Sequence, residues 1–438
     1  MVRDLLAIRR DPLGYLERTV QRFGDLVAFP LPRTPVLLVN EPDGVRRVLV
    51  ENPRGYSKAT VQYTALSAVT GVGLLTADGD TWRQRRRIAQ PAFHHGSLDV
   101  VAAQSVLAGQ RIRRGWRGLP DGTAVDVDAA CMAATLDVVG GTLFAADLAQ
   151  DGERIVRAVQ QALEVVVQRA RLPRPAWLPV PSRRRLDRAV ATLDETCARV
   201  VRARRARGIT DDDTDLLALL LRSADAEGGL TDQQVRDELV TLVIAGHETV
   251  ASSLAWTLQL LAEHPQVQDT VQLELAEVLA GREPGWADLA ALPYTRRVVD
   301  EALRLYPPAW VLTRRALQPD VLAGVEVPAG TLVIISPWLL HRRSAAWERP
   351  LEFDPDRFAA ARSSAPRPDY LPFGMGPRLC IGRDFALVES VLVLATLLPG
   401  LRLEPARRDG VVRRPDVDAL VTLRPRGGLP LVLRRCAG

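Results

Sequence analysis

The sequence predicts a mainly α fold with a small β portion, and three observations carry that expectation. Apolar residues recur at helical spacing through most of residues 98–279, broken only at 120–123, 172–182 and 208–214, where Pro, Gly and Asp gather. Strand-like runs are short and far apart, at 36–40, 321–335 and 421–433. No internal repeat and no low-complexity linker divides the chain. A β portion collected from such distant segments argues against sequential domains, so residues 1–438 are expected to form one domain.

Taken in order, residues 1–30 interleave Arg3, Asp4, Arg9, Arg10, Asp11, Glu17 and Arg18 with apolar positions, unlike a secretory signal, so the mature chain is expected to start near Met1. Residues 81–89 place Trp82 and Arg86 four apart, on one helix face. The stretch LPRPAWLPVPS at 172–182 holds Pro173, Pro175, Pro179 and Pro181 and cannot be a regular helix. It is expected to connect two helices and to show Trp177 to solvent, as an oily lip over a cavity or as a plain stiffened loop. Residues 231–264 form the longest helical pattern, opened by the capping-box sequence T-D-Q-Q and closed before Pro265. The β run 321–335 is punctuated by Gly324 and by Pro328 to Gly330. Residues 383–398 read as a last helix, whose oily part, 391–398, is far shorter than the ~20 residues a bilayer span needs.

Composition narrows the function. With 438 residues and 47% hydrophobic content, the chain can bury a large core. The formal charge of +5 rests on arginine, because Lys58 is the only lysine. A GC-rich genome accounts for that bias, and a thermophilic source is compatible with it. The arginines spread over solvated helix faces without aromatic interleaving, so a nucleic-acid partner is not expected. Cys131, Cys197, Cys380 and Cys436 make neither a disulfide framework nor a C-x-x-C zinc site, which points to a reducing, cytoplasmic compartment.

One cysteine has unusual surroundings. Residues 373–382, F-G-M-G-P-R-L-C-I-G, set Cys380 in a glycine-punctuated loop just before the last helix. Gly374 and Gly382 let the backbone turn tightly and aim N–H groups at sulfur, and a helix N-terminus adds partial positive charge. Both lower a thiol pKa, which suits a thiolate ligand. Cys131, Cys197 and Cys436 lack such a setting and read as inert. In the long helix, residues 245–249 read A-G-H-E-T. Gly246 removes a side chain where a ligand could approach, and Thr249 can bond back to the Ala245 carbonyl and bend the helix locally. The H-E-x-x-H zinc pattern fails because Ala251 stands at the fifth position, leaving His247 as a packed histidine.

The loop and the A-G-H-E-T segment together resemble the cytochrome P-450 superfamily. The resemblance implies a haem b (iron protoporphyrin IX) held between the long central helix and the cysteine loop, with Cys380 as the axial iron ligand. It implies that Phe373 packs over the sulfur side, and that Arg378, Trp82, Arg86 and Arg314 contact the propionates. Thr249 and Glu248 would guide protons to dioxygen in a groove lined by Ala245 and Gly246; Val250 stands where many members carry Thr or Ser. Glu301 and Arg304, which by spacing alone suggest a surface pair, would join Arg357 in a buried structural triad. The activity implied is monooxygenation of a hydrophobic substrate, with electrons from a ferredoxin and its reductase, since the chain has no room for a fused reductase domain. That donor would dock where Arg83, Arg87 and Arg383 surround the cysteine side.

A finer likeness lies in residues 58–66, 73–76, 306–315, 382–387 and 421–430, which are similar to the thermophilic carotene-hydroxylating bacterial subfamily. It implies hydroxylation of the β-ionone ring of β-carotene, and an oily pocket lined by Gln62, Tyr63, Val69, Leu74, Leu75, Val243, Trp310, Val311 and Val421. A monomer without a transmembrane anchor is expected. Fatty acids, terpenes and steroids stand as other substrates. A haem-thiolate ligand binder or peroxygenase is the rival class, against which the retained acid–alcohol pair speaks.

Overall fold

A computed structural model describes residues 8, 10–29, 35–145, 152–171, 181–227, 229–359, 367–408, 411–412 and 414–435. The organising element is the helix Asp232–Glu263, 32 residues long, opened by the expected capping box between Thr231 and Gln234. Its length and composition would suit a membrane span, but 83% of its apolar window is buried inside the protein, so it is a core helix. It packs against Val127–Leu143, while Arg383–Leu397 packs along Leu98–Arg117. At the second contact a Cβ on Gly109 would lie 2.8 Å from Thr396 Cβ, so the two helices approach as closely as they do because position 109 is glycine.

The β portion comes from distant segments, as the pattern required. One sheet has the order Leu26–Phe29, Val36–Val39, Leu332–Ile335, Leu312–Ala316, Tyr56–Ser57. Its parallel pair sets Val36 beside Leu332, a pairing that needs a long crossover and places most of the helices between them. A second sheet joins Ala124–Asp126, Pro430–Arg435 and Leu401–Pro405. The run expected at 421–433 is interrupted. Val417–Ala419 pairs with Leu423–Pro425, leaving Val421 and Thr422 in the turn between them. That turn is docked on the long helix: Ser252 Oγ and Trp256 Nε1 both donate to the Leu423 carbonyl, and Trp256 stacks on Tyr306 at 4.1 Å. Of the proline-rich stretch, residues 172–180, Trp177 included, lie outside the described residues, and Pro181 opens the helix Pro181–Arg207.

Candidate active site

Cys380 lies at one wall of a cavity of about 330 Å³. Glycine is required in its loop: Gly376 has φ +68°, and a Cβ there would sit 2.0 Å from the Leu49 carbonyl oxygen. Gly374, at φ +74°, makes the preceding turn, and Cys380 N donates to the Phe373 carbonyl at 3.0 Å. The sulfur is exposed, but to the cavity and not to bulk solvent. Burial pushes the Cys380 thiol up, outweighing the Gly382 N–H that the sequence anticipated and the nearby Arg86 and Arg383, all of which favour the thiolate. The local donors that the sequence led one to expect are present, but burial opposes them.

The opposite wall is the middle of the long helix. Ala245, Gly246, Glu248, Thr249 and Val250 line the cavity. Thr249 Oγ1 donates to the Ala245 carbonyl at 2.7 Å. Gly246 has a packing role as well, because a Cβ would meet Val139 Cγ2 at 2.9 Å. His247 is wholly buried, and burial pulls it down to about 3, so it is neutral.

At one end the cavity is cationic. Arg86 Nη1 donates to the Leu379 carbonyl at 2.9 Å, tying the helix Gly79–Ala89 to the cysteine loop. Arg378 pairs with Asp78 and lies 4.5 Å over the Trp82 ring. Arg314 Nη1 donates to Tyr63 Oη at 3.3 Å. Lys58 joins them: its Nζ donates to the Leu75 carbonyl at 2.8 Å and sits 5.1 Å over the Tyr63 ring. Burial, then the nearby Arg314 and Arg378, push Lys58 well down.

The sequence signature of the Cytochrome P450 family matches residues 3–431, nearly the whole described chain. The chain belongs to the cytochrome P450 family. It is 36% identical over 420 residues to the cyclooctatin synthase of Streptomyces melanosporofaciens, covering 94% of this chain and 90% of that protein. It is 31% identical to the chloroplastic carotene epsilon-monooxygenase of Arabidopsis thaliana, covering 89% and 76%. The crystal structure of CYP175A1 from Thermus thermophilus superimposes with a TM-score of 0.79 at 32% identity, over 98% of this chain and 97% of that one. The protein is therefore a P450 monooxygenase and takes the haem-iron cofactor of its family.

The residues fit that cofactor. A sulfur stands on one wall and an apolar helix face on the other, and at one end the cations Arg86, Arg314, Arg378 and Lys58 gather, with Asp78 bonded to Arg378 and to the Lys58 backbone N–H. Such an excess of buried positive charge suits two propionates, which would also restore the charge of Lys58. Phe373, Gly374 and Gly382 line the same space.

Of the residues expected around the substrate, Gln62, Tyr63, Leu74, Leu75, Val311 and Val421 line the cavity. Three do not. Val69, 1% exposed, points from the helix Val61–Thr70 into the core; Val243 faces Phe144, Ile155 and Leu193; and Trp310 turns away because its indole N–H is satisfied by the Leu420 carbonyl at 2.9 Å. Glu301 and Arg304 are 0% exposed, not a surface pair. Arg304 Nε donates to Glu301 Oε2 at 2.7 Å, and Arg357 Nε to Glu301 Oε1 at 3.2 Å. The trio reaches the cysteine loop through His341, whose Nδ1 bonds the Arg304 carbonyl and whose Nε2 accepts from Leu371 N. Sequence reasoning missed Lys58, whose signal was its being the one lysine among arginines. It also missed Thr422, Arg424 and Asp128, the partners of Glu248, for which no local signal exists.

Proposed function

We propose that this P450 hydroxylates the ring of a carotenoid, β-carotene towards zeaxanthin, using dioxygen and electrons from a ferredoxin and its reductase in the cytoplasm, as one catalytic unit over residues 1–438. The observation that carries the reading is the cavity lining. Leu66, Leu74, Leu75, Val139, Leu143, Ile244 and Val311 give it apolar walls, and Gln62 is the nearest amide. Gln62 is held in place by Thr313 Oγ1 at 2.8 Å and by the Val311 carbonyl at 3.4 Å. Away from the cationic end, which the propionates would occupy, a wall of this kind suits a hydrocarbon ring and its polyene.

Haem b supplies, when bound, the iron at which dioxygen is reduced and its O–O bond broken, favoured by a thiolate ligand. The chain's own residues do the rest. Cys380 would hold the iron, and Arg86, Arg314, Arg378, Trp82 and Lys58 would hold the propionates. Thr249, bonded to Ala245, presents a hydroxyl to the groove, and Glu248 holds and passes protons beside it. The apolar walls orient the substrate and exclude water from the reacting carbon. Arg83, Arg87 and Arg383 are exposed and would favour an acidic iron–sulfur donor on the cysteine side.

Supplying the haem-loaded protein with β-carotene and, separately, a fatty acid, alongside a ferredoxin, its reductase and NADPH, tests the reading by product analysis. Hydroxylated carotene is expected. Hydroxylated fatty acid alone would discard the carotenoid. The likeness to cyclooctatin synthase supports a second reading, oxidation of another hydrocarbon skeleton, which a terpene arm of the same assay separates.

A further inference from the structure

Glu248 extends from the long helix, but what holds it comes from elsewhere in the chain. Its Oε2 accepts from Thr422 Oγ1 at 2.9 Å, and its Oε1 from Arg424 Nη1 at 3.2 Å. The other arm of the same guanidinium, Nη2, donates to Asp128 Oδ2, in the first turn of Val127–Leu143. Glu248, Arg424 and Asp128 are all buried. One cation thus serves two carboxylates, and with both ionised the trio would bury a net negative charge. Two carboxyls sharing one buried site do not readily ionise together.

The hydrogen bonds single out one oxygen. Both oxygens of Glu248 and Oδ2 of Asp128 accept from donors, whereas Asp128 Oδ1 is buried with no partner among the described residues. An ionised oxygen left without a donor in the interior is costly, and a protonated one much less so. Among the described residues, the groups beside Asp128 add no compensating cation. Asp126, which caps the same helix, is a further negative charge; His247 is held neutral by burial; and burial, then Asp128 itself, push the Cys131 thiol well up. Burial pushes the carboxyls of both Asp128 and Glu248 up, with Arg424 pulling each back.

We propose that Asp128 carries a proton in the resting protein, and that Arg424 is the positioning residue that holds this acid on one arm and the Glu248 carboxylate on the other, leaving the trio neutral. The functional meaning rests on the proton role proposed for Glu248. When Glu248 takes up a proton, Asp128 releases its own, and when Glu248 gives that proton up, Asp128 takes one back from solvent, so each uptake is matched by a release and the trio stays neutral. Glu248 can then be reloaded without an electrostatic barrier.

Infrared spectra of the haem-loaded protein at neutral pH, in water and in deuterium oxide, test this. Subtracting the D128N spectrum from wild type should reveal one exchangeable acid carbonyl band; Glu389, which burial alone pushes well up, and Glu238 contribute equally in both proteins and so cancel. Because removing either carboxyl leaves the other to pair with Arg424 as a carboxylate, carbon-13 labelling of carboxyls in wild type assigns the band: it should move with labelled aspartate. An acid band that is absent, or that moves only with labelled glutamate, overturns the proposal. R424M should turn Glu248 into a second acid, and R424K should restore its carboxylate; a merely structural arginine would leave both bands unmoved. T249A with unimpaired product formation would sink the proton role of the helix while leaving these bands where they are.

Discussion

Two buried charge trios in this protein use the same parts in opposite proportion. Glu301, Arg304 and Arg357 pair one carboxylate with two guanidiniums; Glu248, Asp128 and Arg424 pair one guanidinium with two carboxylates. In the first, the excess cation is absorbed by backbone. Arg304 also donates to the carbonyls of His341, Pro350 and Glu352, and Arg357 to those of Glu348 and Arg349. Arginine does not give up its proton, so the arrangement has one state. In the second, the excess is acidic and an oxygen is left without a partner, and carboxyls can gain and lose protons. Composition therefore separates a lock from a group that can change charge, although both are largely buried.

The sharpest way to break this comparison is to remove the minority charge from each trio. Glu301→Gln leaves two guanidiniums that cannot discharge, so unfolding should become easier by roughly 3–5 kcal/mol, with little dependence on pH between about 5 and 8. Arg424→Met leaves two carboxyls that can take up protons, so its cost should be smaller, about 2–3 kcal/mol near neutral pH, and should shrink as the solution is acidified. Chemical denaturation of both variants at two pH values checks this. Equal pH dependence for the two would remove the distinction.

The two trios were also unequally legible. Glu301 and Arg304 lie three apart on one helix, and Arg357 sits in a recognisable P-D-R-F segment. The cysteine loop and A-G-H-E-T are likewise contained in ten residues or fewer, so short-range pattern suffices to find them. The partners of Glu248 lie 174 and 176 positions away, on a turn whose sequence, L-V-T-L-R, reads as an ordinary strand. No local chemistry marks Thr422 or Arg424; only the docking of that turn on Ser252 and Trp256 brings them to the acid. Val69, Val243 and Trp310 failed for another reason. Hydrophobicity says that a residue is buried but not which face it serves: on helices turning ~100° per residue, Val69 and Val243 face the core, and Trp310, in the loop before Leu312–Ala316, is held away by its bond to the Leu420 carbonyl.

A third buried acid sharpens the same lesson at smaller scale. Glu238 meets a single arginine, Arg85, in a one-to-one pair with Nε 3.4 Å from Oε1, and its Oε2 accepts from Leu74 N at 3.1 Å on the cavity loop. Burial pushes it up to about 7, against the pull of the Leu74 N–H and Arg85. Its folded pKa therefore lies above that of the unfolded chain, so the native state binds the extra proton and stability declines as pH rises from about 4.5 towards 7. Full ionisation costs roughly 3 kcal/mol relative to an ordinary glutamate. Glu238→Gln removes that dependence, keeps an acceptor for Leu74 N, and sets an amide NH₂ against Arg85, so a net gain of about 1 kcal/mol near pH 8 is expected. The gain should vanish or reverse near pH 5, where wild-type Glu238 is already neutral. Thermal denaturation at both values decides: a difference that is the same at each would mean that Arg85 and the Leu74 N–H keep Glu238 charged throughout, and that a matched pair, unlike the trio of Glu248, holds its charge without a proton.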